Sequence, residues 1–343
     1  MSTFKSFLFL CSALCTLQLS QAYHPIDFDS RLEVIAFGSC NRDTMEQPLW
    51  PIISGNQPDL WIWGGDNVYA DWPKRSEKNP PYDAYKEWIQ ERYSSQFEKP
   101  AYVEFREQTA IIGTWDDHDY GRNNAVADFP LKAVAKQSAV DFFELPADDP
   151  RRAREGIYGA YDFGPEGERV KVILLDNRYF ATSEDAEAPD LLGDTQRSWL
   201  SAELEASTAQ IHLIVSGSQV LSKEHRWDKW SNYPEDYKWL LDTIKTLAVP
   251  GVVLLSGDRH IHEISVLEEL DLGYPLVDIT SSGLTHYYSS FTGEPNSRRS
   301  GDVHVGLGFG LIQIDWDSSP IQITAEIRDL DNAVQCQAMI KLP

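Results

Sequence analysis

Short apolar runs alternating with helical patterns predict an α/β protein with two mixed β-sheets flanked by helices. Three observations carry that expectation. Seven runs rich in valine, isoleucine and leucine, bounded by glycine, aspartate or asparagine, have the length and branching of buried strands. Helical patterns lie between them. Near the C-terminus the alternation stops, and two successive strand patterns flank the turn Asp317-Ser318-Ser319-Pro320. Sheet content of this kind is mixed, and two packed sheets suit it better than one doubly wound sheet.

In order, the expected strands cover residues 32–37, 60–63, 110–115, 170–175, 211–215, 252–255 and 275–280, then the hairpin 308–316 and 321–329. Helices are expected over 81–97, which is aromatic and amphipathic, over 131–144, over 195–206 with Asp194 as N-cap, and over 233–247, ending near Pro250. No internal repeat or low-complexity linker interrupts the series. The stretch 146–150 tempts as a boundary, but strands of similar chemistry fall on both sides, so residues 23–343 read as one domain.

The N-terminus reads differently. Lys5, an apolar run over 7–19 and Ser20-Gln21-Ala22 have the anatomy of a Sec-type signal peptide over 1–22, too short to span a bilayer. No twin arginine precedes the run, so a secreted or periplasmic protein exported unfolded is expected. Cys11 and Cys15 lie inside that leader. Cys40 and Cys336 remain, too few for a disulfide scaffold, although one long-range bridge between them is conceivable. No later stretch is long and apolar enough to cross a membrane. The net charge is −23, and removing the leader, with its one lysine and no acid, makes it more negative. Such a field repels duplex nucleic acid and anionic membranes, so a large polyanionic partner is not expected; solubility explains the excess acid, and part of it could serve bound metal ions.

In α/β folds ligands gather beyond the carboxyl ends of strands, and the turns here are rich in chemistry. In order they read Gly38-Ser39-Cys40-Asn41, Gly65-Asp66-Asn67-Val68-Tyr69-Ala70-Asp71, Asp116-Asp117-His118-Asp119 with Asn123-Asn124, Asp176-Asn177-Arg178, Ser216-Gly217-Ser218, Gly257-Asp258-Arg259-His260-Ile261-His262 and Ser281-Ser282-Gly283 leading to His286. Surface loops favour Asp and Asn, so one such turn means little; the repetition is what an ordinary loop does not explain. So many carboxylates could not converge without a cation, because mutual repulsion would push their protons back on. Oxygen-rich donors with histidine suit Fe, Mn2+, Ca2+ or Zn2+, and a thiolate and a phenolate nearby favour Fe(III).

These residues carry a resemblance. Phe37-Gly38-Ser39-Cys40-Asn41, Gly65-Asp66-Asn67-Val68-Tyr69-Ala70-Asp71, Trp115-Asp116-Asp117-His118-Asp119, Leu191-Leu192-Gly193-Asp194-Thr195-Gln196 and Ser256-Gly257-Asp258-Arg259-His260 resemble, in that order, the PhoD-like alkaline phosphatases of the calcineurin-like metallophosphoesterase superfamily. Gly-Asp-x-x-Tyr is also similar to the purple acid phosphatase motif, whose tyrosine ligates ferric iron. The resemblance implies a four-layer sandwich, two or more metal ions, Fe(III) with Ca2+ foremost, and hydrolysis of small phosphomonoesters or phosphodiesters by metal-activated hydroxide. Carried over, it makes Asp66 the bridging ligand and sets Cys40, Tyr69, Asp258 and His260 around the iron-like site. Asp117 stands where the superfamily has a metal-binding asparagine, Asn123 is a candidate ligand of a calcium-like site, and His118 would contact the phosphate or protonate the leaving oxygen. Arg178, after the fourth strand, could grip a phosphate oxygen bidentately.

Two alternatives stand beside that reading. One is a secreted calcium-binding module without catalysis, which would not need His118; the other is a phospholipase-type phosphodiesterase on the same metal centre. His262 is either a residue behind the ligands or an ordinary strand-edge histidine, and His286 could reach the pocket. His24, His212, His225 and His304 read as structural or exposed. Residues 71–102 and 291–305 are expected at the pocket mouth.

Overall fold

The computed structural model describes residues 24–74 and 79–342, so the expected leader lies outside the described residues. Down the chain come β1 (Val34–Gly38), α1 (Trp50–Gly55), β2 (Leu60–Gly64), α2 (Tyr82–Phe97), α3 (Pro100–Arg106) and β3 (Ala110–Thr114). Then follow α4 (Asp117–Tyr120), α5 (Lys132–Phe142), α6 (Pro150–Ala153), β4 (Gly159–Phe163), β5 (Val170–Leu174), α7 (Gly193–Glu205) and β6 (Ile211–Ser216). The rest is α8 (Pro234–Thr246), β7 (Val252–Ser256), β8 (His262–Leu267), β9 (Leu276–Ser281), β10 (Gly308–Asp315), β11 (Gln322–Asp329) and β12 (Val334–Lys341).

Two six-stranded sheets result, in the orders β12-β11-β10-β1-β2-β3 and β4-β5-β6-β7-β9-β8. Both are mixed. β1, β2 and β3 run parallel while β10 joins β1 antiparallel; β5, β6, β7 and β9 run parallel with antiparallel β4 and β8 at the edges. The two-residue period of a strand assigns each side chain to a layer. In the first sheet Ile35, Phe37, Leu60, Ile62 and Ile112 turn inward onto Val172, Leu213, Val253 and Ile279 of the second. Ala36, Trp61 and Trp63 turn outward, where Trp50, Tyr85, Tyr102 and Phe105 of the helical layer cover them. On the far side Leu200, Leu204, Leu240 and Ile244 of α7 and α8 close the second sheet. Both faces of the central strands are therefore apolar, which is why they read as unbroken runs. The four layers match the expected sandwich.

Local corrections concern ends and edges. Asp194 is not the N-cap of α7: the helix opens two residues after Leu191, and Asp190 Oδ1 accepts the Gly193 N–H at 2.7 Å, leaving Asp194 in the first turn paired with Arg197. Cys40 and Cys336 are both buried free thiols, with Cys336 Sγ against the Asp302 carbonyl. No helix among the described residues is long and apolar enough to cross a membrane.

Candidate metal centre

Parallel strands of both sheets end at the same side of the molecule, and an isolated parallel bridge between Ser39 and Ser282 ties the two sheets together there. The backbone around it is strained. Ten described non-glycine residues have positive φ, and four of them are Cys40 (60°), Asp66 (50°), Asp258 (67°) and His260 (55°). A side chain in that region costs on the order of 1 kcal/mol or more, so it persists only where the surroundings demand it. Space is equally tight: a Cβ on Gly217 would stand 2.4 Å from Asp116 Oδ1.

The turns bring donors into three groups, each within 4.8 Å: Cys40, Asp66 and His260; Asp66, Asp117 and His118; Asp116, Asp117 and Asp258. Asp66 belongs to two of them and Asp117 to two. Tyr69 Oη lies 3.3 Å from Asp66 Oδ2, 3.0 Å from His260 Nε2 and 2.9 Å from His286 Nε2. Cys40 Sγ sits 3.4 Å from Asp66 Oδ2 and 3.0 Å from Ser282 Oγ. Asp258 differs from expectation in its company: it groups with Asp116 and Asp117, although its charge still acts on Cys40.

These residues fit metal ions. Asp116 Oδ2 and Asp117 Oδ1 are buried without a hydrogen-bond partner, a costly state for a carboxylate unless a cation meets it. Burial, reinforced by neighbouring carboxylates, holds Asp66 and Asp258 well above the ordinary range. Burial likewise lifts Asp116 to about 7 and the Cys40 thiol to about 12. Asp117 alone is lowered: burial works against it, but His118 and Arg178 outweigh that. Protein alone thus leaves several would-be ligands protonated, and cations at the three groups reverse that balance.

His118 has the opposite setting. Burial disfavours its imidazolium, yet Asp117, Asp66 and a 2.5 Å hydrogen bond from Nδ1 to Asp71 Oδ2 push its pKa up to about 11. Its ring stacks on Tyr69 at 4.1 Å. With Asp258, His260, Asn123 and Asn124 it lines a cavity of about 300 Å³. Asn123 is exposed; its N–H is held by Asp71 Oδ1 at 3.0 Å and its side chain donates to Asn124, whose own N–H meets Asp117 Oδ2 at 2.5 Å.

Arg178 does not occupy the position expected of it. Its guanidinium is buried, with Nε 2.5 Å from Asp116 Oδ1 and Nη1 2.9 Å from Asp228 Oδ2, so its two arms hold carboxylates and a bidentate phosphate grip is not available in this arrangement. His262 also turns away, with Nε2 3.2 Å from the Gly306 carbonyl and its ring beside His304. His286 does reach the centre, through Tyr69.

Sequence reasoning missed the part played by Asp119. Fully buried, it accepts from the N–H groups of Asn67, Val68 and Asp116 and from Tyr93 Oη, at 3.0–3.2 Å, and so locks the Asp66 turn to the Asp117 turn. Asp116 and Asp119 form a reciprocal capping box on α4. That three-residue spacing of cap and acceptor was the available signal.

Comparison with known proteins gives the family and the fold. Alkaline phosphatase D of Bacillus subtilis (strain 168) is 26% identical over 183 residues, which covers 43% of this chain and only 30% of that protein. A solved structure of PhoD superposes with a TM-score of 0.70 at 18% identity, covering 93% of this chain and 70% of the other. GAP50, described as the anchor in the inner membrane complex of Plasmodium, follows with a TM-score of 0.55 at 13% identity, covering 92% and 90%. At such identities the structures share the fold alone. The family model described as PhoD-like phosphatase matches residues 37–298, most of the chain and every turn of the metal centre, and the chain belongs to that family.

Proposed function

We propose that this protein is a metal-dependent phosphoesterase acting on small phosphomonoesters or phosphodiesters. The observation that carries the reading is the sharing of Asp66 between a group containing Cys40 and His260 and a group containing Asp117 and His118. A carboxylate common to two donor sets suits a pair of ions clamping one phosphate. Tyr69 and Cys40 favour a ferric ion in the first set, and the oxygen donors Asp117 and Asn123 favour a calcium-like ion beside it, with Mn2+ or Zn2+ as substitutes. When bound, such ions would orient the phosphate and make water a competent nucleophile at neutral pH.

The chain's own contribution centres on His118. Its Nδ1 is engaged by Asp71, which leaves Nε2 to give a proton to the departing alkoxide. Carboxylates around it favour the protonated ring, as a general acid requires. Residues 1–22 support export before metal loading, and N-terminal sequencing of the mature protein at Tyr23 tests that step.

The catalytic reading is tested on chromogenic mono- and diesters with elemental analysis of the same preparation. Chelation should abolish turnover, Asp66→Asn should lower kcat about 100-fold or more, and His118→Ala about 100- to 10,000-fold. Bound metal with no turnover on either ester class would instead support the calcium-binding module.

A further inference from the structure

We propose that the cleft beside the metal centre selects esters whose alcohol portion bears a second anionic group, and that Arg42 binds that group. The inference rests on the phosphoesterase reading and concerns its substrate class.

His118 lines two cavities. One, of about 300 Å³, contains Asp258 and His260; the other, of about 740 Å³, contains Arg42, Tyr69 and Asp71. With the phosphate held over the donor groups and His118 serving the leaving oxygen, the alcohol portion falls on the side of the larger cavity. That volume suits a ligand of drug-like size rather than a bare small alcohol.

The cavity's charge is set against that of the whole molecule. The chain is −23, yet this wall presents Arg42, Lys74, Arg92 and Arg122 against Asp43 and Asp71. Most of these charges are already engaged. Arg92 lies 3.3 Å from Asp43, Arg122 lies 3.7 Å from Asp128, and Asp71 is used by His118 and the Asn123 N–H. Arg42 is different. It forms no ion pair with any described carboxylate, and its guanidinium sits 4.4 Å over the Tyr69 ring. His118 stacks on the same Tyr69 ring at 4.1 Å, so Arg42 and His118 both lie against the phenol. The contact holds the guanidinium beside the ring, and its N–H fork makes no hydrogen bond or ion pair to the described residues, which leaves it for a ligand. An unpaired fork on the wall of the leaving-group cavity recognises a carboxylate or a second phosphate, and it offsets locally the field that repels anions.

Phenyl phosphate and 4-carboxyphenyl phosphate, which differ only in the second charge, provide the test, with phosphate release measured for the metal-loaded wild type, Arg42→Ala and Arg42→Lys. Wild type should prefer the carboxylated ester in kcat/KM. In Arg42→Ala that preference should fall about tenfold to a hundredfold, mainly through KM, and Arg42→Lys should restore part of it. Turnover of both esters with no preference, or a preference unchanged by Arg42→Ala, overturns the assignment and leaves the phosphoesterase reading standing. Turnover of neither ester removes both together.

Discussion

Tyr69 holds one hydroxyl among Asp66, His260 and His286, in a setting that by itself keeps the phenol protonated, chiefly through burial and then through the charge of Asp66. Only a strongly acidic cation turns such a group into a ligand. An iron-loaded preparation should therefore show a visible phenolate band that Tyr69→Phe removes, and a colourless, iron-free, fully active protein would sink the ferric assignment. A second residue-scale test concerns space. Gly217→Ala would drive a methyl into Asp116 Oδ1, so it should strip metal from the purified protein and lower activity while leaving most of the fold intact; a full metal complement in that variant would show that Asp116 has room to move. Residue identity at the strand ends was legible, because apolar strands make their ends easy to find and Asp66, His118 and His260 stand there. Arg178 was not. Its role depends on Asp116, 62 positions away, and on Asp228 in a loop of another strand, and nothing local in Asp176-Asn177-Arg178 announces either partner.

The elements divide along the same line. Central strands were legible within about two residues because burial on both faces leaves them almost wholly apolar. β4, β8 and β12 were missed because each is an edge strand whose apolar pattern is broken by polar residues. α1 and α3 were missed because six or seven residues with proline in the first turn are too short to show a helical period. The most consequential short element is α4. Asp119 inside it accepts from five donors, the N–H groups of Asn67, Val68 and Asp116, the Asn67 side-chain amide and Tyr93 Oη. Asp119→Ala should therefore cost about 3–5 kcal/mol, the scale of several buried donors losing their acceptor, and should weaken metal binding although Asp119 belongs to none of the three donor groups. Denaturant titration with and without metal separates the two effects. A variant as stable as wild type would show that strand packing alone positions the Asp66 turn.

At the scale of the whole molecule, the metal centre is where folding and charge conflict, and the conflict has a pH signature. Without ions, burial and neighbouring carboxylates hold Asp66 and Asp258 far above their unfolded pKa, while Asp117, Asp66 and Asp71 overcome burial to raise His118 to about 11. For each raised group the stability it contributes is complete below the unfolded pKa and is lost as pH climbs toward the folded value, because the folded form keeps a proton that the unfolded chain releases. The buried histidines act the other way but in another window. His212 and His260 are lowered to about 4, chiefly by burial, so above pH 7 they are neutral in both states and contribute no slope. Between pH 7 and 9 His118, raised to about 11, supplies the slope, and the Cys40 thiol, lifted to about 12, adds to it at the alkaline end. Each contributes up to about 1.4 kcal/mol per pH unit. Metal-stripped protein should therefore lose several degrees of Tm from pH 7 to 9. Loaded protein should stay nearly flat, since bound cations offset the carboxylates that raise His118 and remove its slope. The gap in Tm between the two forms should widen with pH, and parallel curves would mean that the clustered carboxylates of the two sheets do not hold the ions.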